Sequence, residues 1–276
     1  MARLGLIAGG GALPVELASW RRAAGDPVFV VRLKGFAETE LQAFEGADVG
    51  IAELGRCFDV LARAGCDTVC MAGNVSRPDF GALKPDLRGL KALPGAVAAA
   101  RQGDDALLRY LLGQFEVEGF RVVGAHEVMG GLLLGPGLAG RHAPDAMAQD
   151  DLARGFEVVA ALGAMDVGQA AVVAAGVVLA VEAQEGTDAM LGRCAELPPA
   201  LRGAPDARRG VLVKRPKPIQ ERRMDLPVIG VRTIEGAAAA GLAGVAGEAG
   251  GLLVLDKPAV VEAADRLGLF LQGVEA

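Results

Sequence analysis

Short apolar runs alternate with stretches of helical spacing through the first half of the chain. Residues 4–8 form an apolar run ending in glycines, as a buried strand does, and residues 14–24 follow with helical spacing, closed at Gly25. The same reading predicts strands over 28–33, 48–52, 67–71 and 121–124, with helices over 57–64 and 104–118. Strands and helices in alternation, joined by short loops, imply a mostly parallel sheet covered on both faces, of Rossmann-like type. Ligands of such sheets bind at the loops that follow the strands' carboxyl ends.

The texture changes at Leu132-Leu133-Leu134-Gly135-Pro136-Gly137, where Gly and Pro punctuate the chain. Beyond it the pattern predicts a helix over 145–162 and two strands, 170–174 and 177–183, turning through Ala175-Gly176 as a hairpin. Further strands are expected over 210–214, 228–231 and 252–255, and helices near 235–241 and 259–267. The expectation is therefore an α/β chain of two domains: 1–134, with the parallel sheet, and 135–276, of mixed α/β type with its strand order unassigned.

Length supports that division, since 276 residues suit two cores of about 130 residues better than one. Apolar residues at 52% and charged residues at 22% exclude a disordered chain. Aromatics at 4% and a net charge of −6 speak against a nucleic-acid partner, which needs stacking surfaces or a basic excess. The opening run is broken by three glycines and does not read as a signal peptide. The most apolar stretch, 170–181, falls short of the ~20 residues that span a bilayer, so a cytoplasmic protein is expected, with room for loose attachment to a membrane surface. Cys57, Cys66, Cys70 and Cys194 form no C-x-x-C pair and read as buried free thiols. His126 and His142 have no nucleophile partner suggesting a triad.

Several segments could carry chemistry. Gly9-Gly10-Gly11 lies between a predicted strand and a predicted helix, where amides of Gly10, Gly11 and Ala12 could hold an anion. A dinucleotide fingerprint would need a third glycine where Pro14 stands and an acid after the second strand, where Arg32-Leu33-Lys34 is found. Phosphate binding and a tight turn without ligand both remain open. Gly73-Asn74-Val75-Ser76-Arg77-Pro78 follows another strand; Arg77 could grip a phosphate or lie in solvent. Asp104-Asp105 reads as structural, at a helix start. Asp166-Val167-Gly168-Gln169 precedes the hairpin and Glu182-Ala183-Gln184-Glu185-Gly186-Thr187-Asp188 follows it, so Glu185 and Asp188 are candidate ligands for a hard divalent cation, while Thr187 could instead cap a helix. Residues 202–223 hold eight Lys or Arg against two acids, in a chain that is otherwise acidic. That loop suits an anionic ligand, with Lys214, Arg222 and Arg223 to neutralise it, or it is a solvated charged loop. Asp225 stands beside this field and suits a metal ligand or a water-orienting base.

Taken in order, LGLIAGGGALP, GNVSRP, DVGQAAVV, VEAQEGTDAML and KPIQERRMDLPVIG resemble the UDP-2,3-diacylglucosamine pyrophosphatases of the LpxI type over nearly the whole chain. The resemblance implies a two-domain, magnesium-dependent hydrolase of lipid A biosynthesis with a ligand cleft between the domains. It would release UMP and 2,3-diacylglucosamine 1-phosphate (lipid X) from a glycolipid nucleotide. It also implies that Asp225, in the C-terminal domain, is the essential acid, and it suggests that the glycine turn, the Gly73-Asn74 loop and the Glu185-Gly186-Thr187-Asp188 string line the substrate site; Asp225 is then expected to hold Mg2+ or to align the attacking water. Gln220-Glu221-Arg222-Arg223 departs from the family's Q-D-x-R, and Gly230-Val231-Arg232-Thr233 lacks the expected proline. The reading leaves room for a homo-oligomer and for peripheral contact with the inner membrane. A nicotinamide-dependent oxidoreductase and a non-catalytic nucleotide or lipid sensor stand as the competing functions.

Overall fold

A computed structural model describes residues 3–76, 79–218 and 220–275, so Arg77 of the expected phosphate grip lies outside the described residues. The chain divides into two compact units. The first runs to Gly130 and takes in Glu221–Asp225; the second comprises Gly131–Gln220 and the chain from Leu226 onward.

In the first unit β1 (Arg3–Ala8), α1 (Ala12–Ala23), β2 (Val28–Leu33), β3 (Gly46–Val49), α2 (Leu54–Arg63) and β4 (Cys66–Ala72) follow one another closely. Two helices, α3 (Leu87–Ala100) and α4 (Asp104–Val117), then precede β5 (Arg121–Val123) and a short α5 (Ala125–Val128). The five strands are all parallel, in the order β3-β2-β1-β4-β5. The order reverses between β1 and β4, which in open parallel sheets is the switch point where ligands bind. Gly5 and Ile7 of β1 share one face of the sheet: Ile7 packs with Phe58, Phe115 and Phe120, and Gly5 lets Leu61 of α2 close on the strand. The Phe58 and Phe115 rings meet edge to face at 4.9 Å between centroids. Helix α3 escapes the sequence pattern because Gly89, Pro94 and Gly95 interrupt its helical signature. It is rescued by packing: Gly95 admits the Tyr110 ring of α4, whose hydroxyl donates to the Ala92 carbonyl at 2.9 Å.

The second unit opens with β6 (Gly137–Leu138), α6 (Ala146–Ala164), β7 (Ala170–Ala174), β8 (Val177–Val181) and α7 (Gly186–Ala195). It continues through α8 (Pro199–Arg202), β9 (Gly203–Ala204), β10 (Ala207–Arg208), β11 (Val211–Lys214) and β12 (Val228–Ile229). Last come α9 (Val231–Ala239), β13 (Gly244–Glu248), β14 (Leu253–Val254), α10 (Lys257–Leu267) and β15 (Phe270–Val274). Its main sheet is mixed and ordered β6-β15-β13-β11-β7-β8; β11, β13 and β15 are mutually parallel, and the others pair antiparallel. Val211 and Val213 face α6, while Leu212 faces the core under α7, α9 and α10.

The expected hairpin through Ala175-Gly176 is present, held by the fully buried Asp151, which accepts from the Ala175 and Gly176 amides at 2.9 and 2.7 Å. Asp145 caps α6 by accepting from the Ala148 amide at 2.8 Å. Strand β13, Gly-Val-Ala-Gly-Glu, was not expected, because two glycines and one β-branched residue give it no strand signature. Among the described residues no helix is long and apolar enough to cross a membrane.

Leu212 is fully buried in the middle of the six-stranded sheet. Leu212→Ala is expected to lower the stability of the second unit by about 2–5 kcal/mol in urea unfolding, while Leu138→Ala, at an exposed edge, changes it little.

Candidate functional site

The switch point of the first unit is built by the two glycine loops, and it joins them. Gly10 donates its amide to the Asn74 carbonyl at 2.9 Å, and Asn74 returns its own to Gly10 at 2.8 Å. Glycine is required on both sides: a Cβ on Gly9 would stand 2.7 Å from the Asn74 oxygen, and one on Gly73, whose φ is +93°, would stand 2.6 Å from the Gly10 oxygen. The Gly10 amide, expected to hold an anion, therefore closes the bridge. The Gly11 amide donates to Glu38 Oε1 at 2.7 Å. A carboxylate of the chain thus stands at the head of α1, where an anion was expected, with exposed Ala12 at the first position of the helix. Glu38 was missed because it lies five residues beyond the end of β2, where the loop carries it back to the glycine turn.

The turn Glu221–Asp225 belongs to this same unit, although its neighbours along the chain belong to the second. Asp225, expected in a 135–276 domain, clusters in the fold with the first unit. Asp105, at the start of α4 and only 5% exposed, accepts from the Glu221 amide at 2.8 Å and pairs with Arg109 at 2.6 Å. Asp105 is thus structural, as expected, with a wider reach than a helix start. Within the turn, Asp225 and Met224 donate their amides to the Glu221 carbonyl at 3.1 and 3.0 Å. Met224 packs against the aromatic core, and Gly124, just past β5, leaves room for the Arg223 backbone. Arg223 donates to both carboxylate oxygens of Glu221 and to Glu116 at 2.9 Å. Hydrogen bonds from Arg223 hold the Glu221 carboxyl below its usual range, and those carboxylates in turn raise Arg223. Arg223 is thus held by two acids, whereas Arg222 is exposed and Asp225 half-buried on the same turn. His126 adjoins Gly124, and its buried Nδ1 has no hydrogen-bond partner among the described residues.

A separate polar cluster lies in the second unit. Lys214, 3% exposed, donates to the Thr187 hydroxyl at 2.7 Å and to the Val228 carbonyl at 3.1 Å. Thr187 donates on to Glu182, itself 6% exposed, at 2.7 Å. Thr187 is therefore not an N-cap: α7 begins at Gly186, and the hydroxyl bridges a buried lysine and a buried glutamate. Lys214, expected to face a phosphate, is turned inward. Gln169 sits beside it, accepting on its carbonyl from the Arg215 amide at 3.0 Å. The β7–β11 pairing brings Gln169 beside Lys214, and the Lys214 ammonium reaches Thr187 of α7, while Glu182 carried no signal beyond its place in an acidic string.

Most of the basic segment is spoken for within the protein. Arg202, Arg208 and Arg209 donate to backbone carbonyls, Arg215 pairs with Glu248 at 2.8 Å and Lys217 with Asp166 at 2.7 Å. The expected cradle of loose cations is in the main a set of internal ties. Glu185 is paired with Arg193, and Asp188 with Arg232 at 2.9 Å, which gives Arg232 the partner its sequence did not reveal. Backbone and Arg193 hydrogen bonds depress the Glu185 carboxyl. No three His, Cys, Asp or Glu side chains come together to hold a metal ion among the described residues. The four cysteines are free and buried, and desolvation pushes Cys57 and Cys70 up to about 12, so neither is a thiolate nucleophile.

Residues 3–132 match the LpxI N-terminal domain and residues 135–272 the LpxI C-terminal domain. Over 275 residues the chain is 60% identical to the UDP-2,3-diacylglucosamine pyrophosphatase LpxI of Caulobacter vibrioides, covering 100% of this chain and 98% of that protein.

The Glu221–Arg223 pair makes a pH dependence. The folded-state pKa of Glu221 lies below its ordinary 4.5, so the pair's contribution is fully present above that pH and is lost as pH falls through the depressed folded value. The stability difference between the wild type and Glu221→Gln, read from urea unfolding, is expected to be constant from neutral pH down to about 4.5 and to shrink in stronger acid.

Proposed function

Because the chain belongs to the LpxI family, we propose that it hydrolyses the phosphoanhydride of UDP-2,3-diacylglucosamine, releasing UMP and 2,3-diacylglucosamine 1-phosphate. The observation that carries this reading is identity at 60% along the entire chain, which spans both units and the Glu221–Asp225 turn. Neither the oxidoreductase nor the sensor has comparable support. The reaction is placed in the cytoplasm, at the inner membrane where a diacylated sugar nucleotide would be presented.

The bond to be broken joins two anionic phosphates, so positioning and charge neutralisation dominate the chemistry. Asp225 is assigned the orientation and deprotonation of the attacking water. Its support is the turn that presents it, fixed by Asp105 from below and braced by the Glu221–Arg223–Glu116 pairs. A carboxylate on a braced turn needs little reorganisation when the water reacts. Arg222, exposed on that turn, is assigned to the substrate phosphates, and Arg223 to positioning, since two acids already engage it. Lys214 is likewise a positioning residue, ordering the start of α7 through Thr187.

Magnesium would offset phosphate charge at this centre. Asp225 with substrate oxygens and water suits such an ion, which commonly takes one or two carboxylates. Glu185 and Asp188, each engaged by an arginine, do not suit it.

Asp225→Asn is expected to slow UMP release by about 10²–10⁴-fold with an unchanged melting temperature. Release at the wild-type rate would remove Asp225 from the mechanism. Independently, stripping with EDTA is expected to abolish turnover, with recovery on adding Mg2+; full activity in EDTA would exclude the metal and leave the role of Asp225 in place.

A further inference from the structure

The chain has two histidines, and the one in the first unit, His126, takes no part in the chemistry assigned so far. It stands on α5, just past the carboxyl end of β5, where the loops of an open parallel sheet receive ligands. Glu127 fixes this segment twice: its amide donates to the Gly124 carbonyl at 3.0 Å, and its carboxylate accepts from the Gly124 amide at 2.8 Å. The His126 ring folds back over Gly124. A Cβ on Gly124 would stand 2.6 Å from the ring's Cε1, 2.8 Å from its Nδ1 and 3.3 Å from the Cα of Arg223. Glycine at this position lets the imidazole and the backbone of the Glu221–Asp225 turn close on one point.

The two ring nitrogens differ. Nδ1 is enclosed without a hydrogen-bond partner among the described residues. Nε2 makes no hydrogen bond among them either, but it is not enclosed. With no acceptor at Nδ1, the ring proton is better placed on Nε2, where water or a ligand can take the hydrogen bond. No carboxylate orients Nδ1 in the way that a histidine base is commonly oriented, so the ring is built to donate and not to relay a proton. The acids tied to this corner are already engaged, Glu116 and Glu221 by Arg223 and Glu127 by the Gly124 amide. The turn that the ring abuts carries Arg222, assigned to the substrate phosphates, and Asp225, assigned to the attacking water. Charge on a phosphoryl group is best met by N–H donors fixed in advance, and a ring seated over Gly124 on a bonded turn is one.

We infer that the Nε2–H of His126 donates to a phosphate oxygen of the substrate held at the Glu221–Asp225 turn. The inference rests on the proposed assignment of that turn to the phosphoanhydride. It gives the site a donor from β5's end in addition to the guanidinium of Arg222.

Three substitutions separate donation from packing. Glutamine sets an amide nitrogen near the place of Nε2, asparagine near that of Nδ1, and phenylalanine keeps a ring with neither. His126→Asn and His126→Phe are expected to lower kcat about 10²-fold on UDP-2,3-diacylglucosamine in detergent micelles, while His126→Gln stays within about threefold of the wild type. Near-wild-type turnover by His126→Phe, or an equal loss in all three variants, would overturn the inference. A second measurement is made on the wild-type chain, so it does not depend on the variants folding. With 15N-labelled histidine, imidazole signals come from two rings only. UMP or 2,3-diacylglucosamine 1-phosphate is expected to shift the His126 Nε2 signal and to leave that of His142, in the second unit, in place. A His126 signal unmoved by both products, at concentrations that inhibit turnover, would likewise overturn the inference. If the signal moves in a wild type that cleaves no substrate, the phosphate contact stands and the proposed reaction falls.

Discussion

A nearly buried carboxylate, Asp105, governs how the candidate catalytic acid is held. A carboxylate removed from water must be compensated by donors. Asp105 is compensated by the charge of Arg109 on its own helix and by a hydrogen bond from the backbone of Glu221, more than one hundred residues away. That hydrogen bond ties the Glu221–Asp225 turn into the first unit. Every other tie of the turn is consistent with the same seat: Met224 against the aromatic core, the Arg223 backbone beside Gly124, and the Arg223 guanidinium between Glu221 and Glu116.

The same economy runs through the charged residues of the second unit. A dense run of lysines and arginines on an acidic chain suggests a landing place for an anion. Once folded, most of those cations satisfy the protein itself. Three arginines close carbonyls, two further cations pair with acids, and Lys214 is enclosed with Thr187 and Glu182. Burial makes such groups costly unless partnered, so a fold tends to recruit its own counter-charges first. Much the same happens at the glycine turn, where Glu38 meets the Gly11 amide.

Periodicity made the alternation of the first unit, the hairpin through Ala175-Gly176 and the long helix capped by Asp145 legible before folding, since each rests on local pattern. Helix α3 and strand β13 were hidden because their glycines and proline erase local signals, and packing against Tyr110 or between two parallel strands replaces those signals. Within the candidate site, Gly10, Asn74 and Asp225 were singled out from residue type and spacing alone. The partners were not: Glu38 and Glu116 carry no mark along the chain, and Asp105 and Glu182 showed there only as a helix-start acid and one of an acidic string, since each meets its neighbour through tertiary structure.

The seat of the Glu221–Asp225 turn also bears on heredity. The two domain matches meet between residues 132 and 135, which looks like a natural place to divide the gene. A protein cut there would be whole in neither half. The leading fragment would lose the turn that answers Asp105, and the trailing fragment would carry the acid without its seat. Five residues thus act as a stitch that resists recombination. The halves of this chain would have to be inherited, exchanged and refined together, although each looks like a module in its own right.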